Sequence, residues 1–336
     1  MERLAVIGGG AWGTALAMTV RRAGREAVLW ARDADVVESV NRGHENPAYL
    51  PGVDLDPAIR ATTDLADAAQ RAETVLLVVP AQHLRAVARR LRPHLPPGVP
   101  VLLCAKGVEQ GSLALMTEVA AEELPEAPQA VLSGPTFAAE VARGLPTAVT
   151  VAATDPDLAA RFAAALGTPS FRPYASDDPV GAEIGGAVKN VLAIACGIVV
   201  GRRLGDNARA ALITRGLAEI VRLAVAKGGR AETLTGLSGL GDLTLTCTAM
   251  QSRNHSLGVA LGEGRALADV LAGRRSVAEG VASAASVTAL AARLGVEVPI
   301  AAAVDSILHR DAAIDETIAR LLARPFRRET ILAAEC

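Results

Sequence analysis

The stretch Leu4-Ala-Val-Ile-Gly-Gly-Gly-Ala-Trp-Gly-Thr-Ala-Leu-Ala-Met18 decides the fold. Four aliphatic residues, Leu4–Ile7, run into Gly-x-Gly-x-x-Gly at Gly8, Gly10 and Gly13, and a helix-forming run follows from Thr14. A strand that turns on glycines into a helix is the fingerprint of dinucleotide binding. Gly8 permits the tight turn, Gly10 lets the backbone approach a pyrophosphate, and Gly13 lets the helix pack closely on the strand. The N–H groups at the helix start then face the phosphates. A glycine-rich turn alone is a weak signal, but here it follows a strand, opens a helix and precedes a second aliphatic strand at Ala27–Trp30. Just past that strand stands Arg32-Asp33. An acid at this position accepts the ribose 2′-hydroxyl of NAD, whereas an arginine suits the 2′-phosphate of NADP. With the arginine first, the reading leans toward NADP and leaves NAD open; a solvated loop charge is the alternative for Arg32.

The same alternation continues outward. Strands are expected at Thr74–Val79, Val99–Cys104, Ala130–Leu132 and Ala148–Val151, with helices at Thr14–Ala23, Leu84–Leu91, Leu113–Glu123 and Pro156–Leu166. Strand–helix alternation implies parallel strands in a doubly wound α/β sheet, whose ligands bind at the carboxyl ends of the strands. After about Tyr174 strands disappear, and amphipathic helices are expected at Ala208–Ala226, Asp269–Gly273, Val281–Leu294 and Ile314–Ala323. Ser176-Asp-Asp-Pro179 reads as the junction. The expected organisation is therefore a Rossmann-type domain over 1–176 followed by an all-α domain over 177–336. A chain of 336 residues is long enough for two cores.

Composition narrows the function. With 51% hydrophobic and 2% aromatic residues, the cores must be built from Ala, Val, Leu and Ile. A formal charge of −2 gives no electrostatic case for nucleic acid or an anionic membrane. A strand already begun at Leu4 leaves no room for a targeting peptide, and the apolar run past Asn190 is shorter than the ~20 residues a bilayer span needs. These features point to a soluble cytoplasmic protein. The four cysteines form no Cys-x-x-Cys pair, no His/Cys spacing suits a metal, and the histidines read mostly as surface residues.

Only three residues, Lys106, Lys189 and Lys227, are lysine, against 31 arginines. In a chain this biased to arginine, a retained lysine suggests chemistry that arginine cannot perform, namely losing a proton. Lys189 lies in an apolar run from Ile184 to Val200, where an ammonium is costly unless paired. Desolvation of a titratable amine makes a general acid/base, although a lysine snorkelling from a core helix is the plainer reading. Lys106 follows the strand ending at Cys104. Ser133-Gly-Pro-Thr136 follows another, where Gly134 and Thr136 could meet a ligand or Thr136 could simply cap a helix. Two polar islands interrupt the helical half. Gly239-Leu-Gly-Asp-Leu-Thr-Leu-Thr-Cys247 offers a carboxylate, Asp242, to pair with Lys189, and Gln251-Ser-Arg-Asn-His255 offers donors suited to an anion.

Taken together these motifs resemble the bacterial-type NAD(P)-dependent glycerol-3-phosphate dehydrogenases. The fingerprint with Trp12 is followed by Asn46-Pro-Ala-Tyr-Leu-Pro51, Ala105-Lys-Gly107, Ser133-Gly-Pro-Thr-Phe137 and Gly186-Ala-Val-Lys-Asn190. Thr214-Arg-Gly-Leu-Ala-Glu219, Gly239-Leu-Gly-Asp242 and Gln251-Ser-Arg-Asn254 complete the series. The resemblance implies a site between two domains and reversible reduction of dihydroxyacetone phosphate to sn-glycerol 3-phosphate for phospholipid synthesis. Lys189 would be the catalytic proton donor and acceptor, oriented by Asp242. Lys106, Gly134, Thr136, Asp242, Ser252, Arg253 and Asn254 would bind substrate. Gly8, Gly10, Ala11, Trp12, Gly13, Arg32, Lys106, Ala138, Arg253, Val277 and Glu279 would meet NADP or NAD. Position 11 is alanine where the family often has serine, which puts one phosphate contact in doubt. No metal is implied, and a homodimer is compatible with the resemblance. Two rivals stand beside it: another two-domain NAD(P)-dependent hydroxy-acid dehydrogenase, and a non-catalytic NAD(P)-sensing protein.

Overall fold

A computed structural model describes residues 1–272 and 278–326. The chain divides into two compact units, one of Met1–Ala105 with Met116–Pro179, the other of Lys106–Leu115 with Val180–Cys336. The first unit ends at Pro179, and the segment Lys106–Leu115 belongs with the helical unit. A boundary drawn along the sequence cannot express such an excursion.

The first unit is built on an eight-stranded sheet. Its strands are β1 (Arg3–Ile7), β2 (Glu26–Trp30), β3 (Arg60–Thr62), β4 (Thr74–Leu77), β5 (Val101–Leu103), β6 (Gln129–Ser133), β7 (Thr147–Ala152) and β8 (Phe171–Ser176). They lie in the order β3-β2-β1-β4-β5-β6-β7-β8. All neighbours are parallel except β6 and β7, so β7 and β8 run against the other six. The strand order reverses at β1, which pairs with β2 on one side and β4 on the other. Such a reversal leaves a crevice at the strand ends, the place where doubly wound sheets bind ligands. Ile7 is in register with both Trp30 and Leu77, so the fingerprint leaves the sheet at that crevice.

Two strands, β3 and β8, escape the hydrophobic pattern. Arg60-Ala-Thr62 is only three residues long, and Phe171-Arg-Pro-Tyr-Ala-Ser176 carries an arginine and a proline. Both are edge strands, where one face of the ladder needs no partner and proline is tolerated.

The second unit is helical. Its central helix, Pro179–Gly201, is buried at every position from Gly181 to Val199. Aliphatic residues from helices Asp206–Lys227, Arg253–Gly262, Glu279–Arg293 and Pro299–His309 surround it. Contact with helix Arg253–Gly262 is close enough to forbid side chains. A Cβ on Gly197 would meet the His255 carbonyl oxygen at 2.1 Å, and one on Gly258 would meet the Ile194 carbonyl oxygen at 2.1 Å. The central helix has the length and apolarity of a membrane span, yet 89% of its most apolar window is buried inside the protein, as in a core helix. The first polar island runs from the π-helical turn Leu237–Gly241 into helix Asp242–Thr248, and the second forms the start of helix Arg253–Gly262.

Candidate active site

The second unit brings three of the expected residues into one buried cluster. Lys189 lies mid-way along the central helix, with its side chain 8% exposed. Its Nζ donates to Asp242 Oδ1 at 2.6 Å and to Thr246 Oγ1 at 2.8 Å. Lys106 Nζ donates to the other oxygen, Asp242 Oδ2, at 2.7 Å. Asp242 is fully buried and opens helix Asp242–Thr248, which continues without a break from the π-helical turn Leu237–Gly241. Thr246 follows one turn later on the same helix face and also donates to Asp242 Oδ1, at 3.3 Å. Thr246 lies within the first polar island, and only its spacing of four from Asp242 distinguishes it there from the other threonine.

The cluster holds two ammonium groups against one carboxylate. Burial pushes the Lys189 amine down to about 8, with the positive charge of Lys106 acting in the same direction and Asp242 opposing both. An amine poised there exists in both protonation states near neutral pH, as a general acid/base requires. The excess positive charge suits an anionic substrate. Beside the cluster Cys247 faces Cys196, and the hydrogen bond between them, together with burial, pushes the Cys247 thiol up. It therefore stays protonated rather than acting as a nucleophile, in keeping with structural thiols; both are free and buried, while Cys336 lies outside the described residues.

The expected phosphate island forms the start of helix Arg253–Gly262. Ser252 is its N-cap, accepting from the His255 N–H at 3.2 Å. The Asn254 side chain is spent inside the fold: Nδ2 donates to Asn190 Oδ1 at 2.9 Å, and Oδ1 accepts from the Gly280 N–H at 3.0 Å. Asn254 thus ties together the central helix, its own helix and the start of helix Glu279–Arg293, next to Glu279. His255 is buried at 2% exposure, an exception to the expected surface histidines. Val277 lies outside the described residues.

In the first unit the fingerprint has the shape a dinucleotide needs. Gly8 has φ +137°, and a Cβ there would lie 2.7 Å from the Val78 carbonyl oxygen. A Cβ on Gly13 would lie 1.7 Å from the Gly8 carbonyl oxygen, so nothing larger fits between turn and helix. At Gly10 a Cβ would meet nothing within 4 Å, leaving open space above the loop. Helix Ala11–Arg22 begins with Ala11 and Trp12, has no side-chain cap and no acid in its first turn. Its exposed N–H groups and positive dipole fit a pyrophosphate. Arg32 is exposed, with no hydrogen bond or ion pair among the described residues. Asp33 instead caps helix Ala34–Glu38 by accepting from the Asp35 N–H at 3.0 Å. The arginine is thus the freer of the two to read the adenosine ribose.

Gly134 has φ +147° and accepts at its carbonyl from Thr136 Oγ1 at 3.2 Å. Thr136 stabilises that turn and does not cap the following helix, Ala138–Ala142, whose N-cap is Phe137. Lys106, Lys189 and Asp242 are thus in direct contact, Ser252–Asn254 share a helix start, and Gly134, Thr136 and Ala138 lie along one turn of the first unit.

Comparison with known proteins identifies the family. Residues 3–159 match the family model described as NAD-dependent glycerol-3-phosphate dehydrogenase N-terminus, and residues 178–319 match that of its C-terminus. A relative from Rhodospirillum rubrum named glycerol-3-phosphate dehydrogenase [NAD(P)+] is 64% identical over 329 residues, covering 98% of this chain and 94% of the relative. One of the same name from Parvibaculum lavamentivorans is 59% identical, covering 98% of each. The crystal structure of glycerol-3-phosphate dehydrogenase from Coxiella burnetii is 41% identical and superposes with a TM-score of 0.92, over 96% of this chain and 99% of that one.

Proposed function

The chain belongs to the NAD-dependent glycerol-3-phosphate dehydrogenase family, and we propose that its buried Lys189 is the proton donor and acceptor of the family's reaction. The enzyme interconverts dihydroxyacetone phosphate and sn-glycerol 3-phosphate with NAD(P)H and NAD(P)+. A nicotinamide cofactor, held by the fingerprint of the first unit, would supply or accept the hydride. In reduction the Lys189 ammonium would give a proton to the substrate's carbonyl oxygen, and in oxidation the neutral amine would take the proton from its hydroxyl. Asp242 and Thr246 hold the amine in place through the exchange. The observation that carries this reading is the sharing of Asp242 between Lys189 and Lys106, which leaves a desolvated amine titrating near neutrality.

Lys106, Ser252, Arg253 and the turn at Gly134–Thr136 would receive the substrate, with the Arg253 guanidinium matching phosphate geometry. Asn254 would act through its fold contacts and its main chain, because its amide is committed to Asn190 and Gly280. Gly8, Gly10, Ala11, Trp12 and Gly13 would hold the pyrophosphate half of the cofactor. Arg32 would read a 2′-phosphate, which favours NADP, and Ala138, Glu279 and Val277 would complete the cofactor contacts. By the same reading the protein works in the cytoplasm and supplies glycerol 3-phosphate to glycerophospholipid synthesis. A sensing protein would have no use for the Lys189–Asp242 pair.

The direct test follows NADPH absorbance with dihydroxyacetone phosphate and, separately, with unphosphorylated dihydroxyacetone. Rapid oxidation with the first and weak oxidation with the second is the expected result. Equal rates would remove the phosphate from the recognition scheme.

A further inference from the structure

The motif Asn46-Pro-Ala-Tyr-Leu-Pro51 has no part in the site described so far, yet its first residue touches the fingerprint. Asn46 is fully buried. Its Nδ2 donates to the Gly9 carbonyl oxygen at 3.0 Å and to Thr14 Oγ1 at 2.8 Å. Gly9 is the middle glycine of the turn, and Thr14 lies in the first turns of the helix that follows. One amide therefore joins the two sides of the phosphate-binding loop.

The geometry of the peptide unit gives this contact its consequence. The bond between Gly9 and Gly10 is trans and planar, so the Gly10 N–H lies in the same plane as the Gly9 carbonyl and points the opposite way. Fixing the carbonyl on Asn46 therefore fixes the direction of the Gly10 N–H. That N–H belongs to the residue whose Cβ position is open, where a pyrophosphate would approach. Glycine has no side chain to hold its own peptide plane, and three consecutive glycines would leave this turn loose. The restraint has to come from outside, and Asn46 supplies it. On its other flank Gly9 rests against Ala31, whose Cβ would lie 2.4 Å from a Cβ on Gly9.

Asn46 is itself held by its surroundings. The Leu50 N–H donates to the Asn46 carbonyl at 2.7 Å, and the Leu55 N–H to the His44 carbonyl at 2.8 Å. The Asp56 N–H reaches Met18 Sδ at 3.1 Å, while Asp56 Oδ2 accepts from Arg21 Nε at 3.3 Å. The segment from His44 to Asp56 is thereby strapped along helix Ala11–Arg22. Asn46 Oδ1 is buried without a partner among the described residues. The amide nitrogen is therefore the end of the side chain that the fold uses, and its donations to Gly9 and Thr14 are what an apolar residue of the same size could not supply.

We propose that Asn46 is a positioning residue for the cofactor: it orients the Gly9–Gly10 peptide so that the Gly10 N–H meets the pyrophosphate of NAD(P). The proposal rests on the reading of the first unit as the dinucleotide-binding unit. It is tested by calorimetric binding to the whole protein, with ADP-ribose as a probe that carries the pyrophosphate and adenosine 2′-monophosphate as a probe that lacks it. Asn46→Leu keeps the volume of the amide without the donor, and Asn46→Ala removes both; thermal melting checks the fold of each. Wild type should bind ADP-ribose; no binding would sink the cofactor reading itself. Given wild-type binding, the variants should lose roughly threefold to tenfold in ADP-ribose affinity, the worth of one hydrogen bond. Adenosine 2′-monophosphate affinity and the KM for dihydroxyacetone phosphate at saturating NADPH should stay within about twofold. Unchanged ADP-ribose affinity would overturn the proposal. Parallel losses on both probes, or failure of both variants to fold, would also overturn it, by assigning Asn46 to the fold at large.

Discussion

Lys106 and Lys189 hold opposite oxygens of a single buried carboxylate, that of Asp242, at 2.7 Å and 2.6 Å. Asp242 neutralises one unit of charge and faces two. The arrangement serves two ends. It leaves one unit of positive charge in the cluster uncompensated, and it makes the protonated state of Lys189 less favourable than a simple ion pair would.

Replacing Lys106 by methionine removes the like charge and keeps most of the stem. The Lys189 amine, at about 8 in wild type, should then titrate at higher pH, because one of the influences that lowers it is gone and Asp242 is no longer shared. In the reduction direction Lys189 must start protonated, so the alkaline limb of kcat/KM should move to higher pH in Lys106→Met. In oxidation it must start neutral, so the rise of activity with pH should also move to higher pH. A KM increase with no shift of either limb would make Lys106 a substrate contact only.

Arg32 stands exposed at the end of β2 beside an aspartate already used as a helix cap. Arg32→Ser should weaken NADPH by ~1.5–3 kcal/mol, the worth of a charge-assisted hydrogen bond, and leave NADH nearly unchanged. Because the side chain is exposed, the lower end of that range is expected at physiological salt. Equal changes in Kd for the two cofactors would show that Arg32 does not read the 2′-phosphate.

The parts of this protein that were legible in its sequence are those whose signal is local. β1, the fingerprint and the following helix lie in one stretch of about twenty residues, and each glycine has a local steric reason. Lys189 and Asp242 were legible because a charge in an apolar run demands a partner. β3 and β8 were not, since an edge strand containing Arg60 or Pro173 lacks the alternating pattern that marks a strand. Thr246 and Asn190 were also hidden: a threonine or asparagine in a helix declares its partner only when Lys189 or Asn254 is brought beside it. The same holds for Asn46, whose contact with Gly9 joins residues 37 apart in the chain.

Glu219 offers a test of the helical unit independent of catalysis. Its carboxylate accepts from the Ile300 N–H at 2.7 Å and the Ala301 N–H at 3.2 Å, at the start of helix Pro299–His309. Burial pushes its carboxyl up to about 7 from 4.5, against the lowering effect of those two hydrogen bonds. The folded state therefore binds the proton more tightly than the unfolded chain. Its contribution to stability is present below about pH 4.5 and is lost as pH rises through about 7, by a few kcal/mol at most. Wild type should lose more melting temperature between pH 5 and pH 8, values chosen roughly to bracket this window, than Glu219→Gln, which is neutral throughout. Identical pH dependence in the two proteins would show that Glu219 is ionised in the folded state across this range.

If Lys189 moves a proton, Lys189→Arg should abolish that step while keeping the charge. Arginine keeps a positive charge near Asp242 but does not release a proton at accessible pH. Steady-state reduction of dihydroxyacetone phosphate at saturating NADPH, with the fold checked by melting, gives kcat for both proteins across pH. The variant should lose roughly 10²–10⁴ in kcat, the usual worth of a positioned acid/base, and its pH profile should lack the limb near the amine's titration. An arginine variant that retained most of the wild-type kcat, with its pH limb unchanged, would contradict the proton-transfer role and leave Lys189 a charge rather than a proton donor.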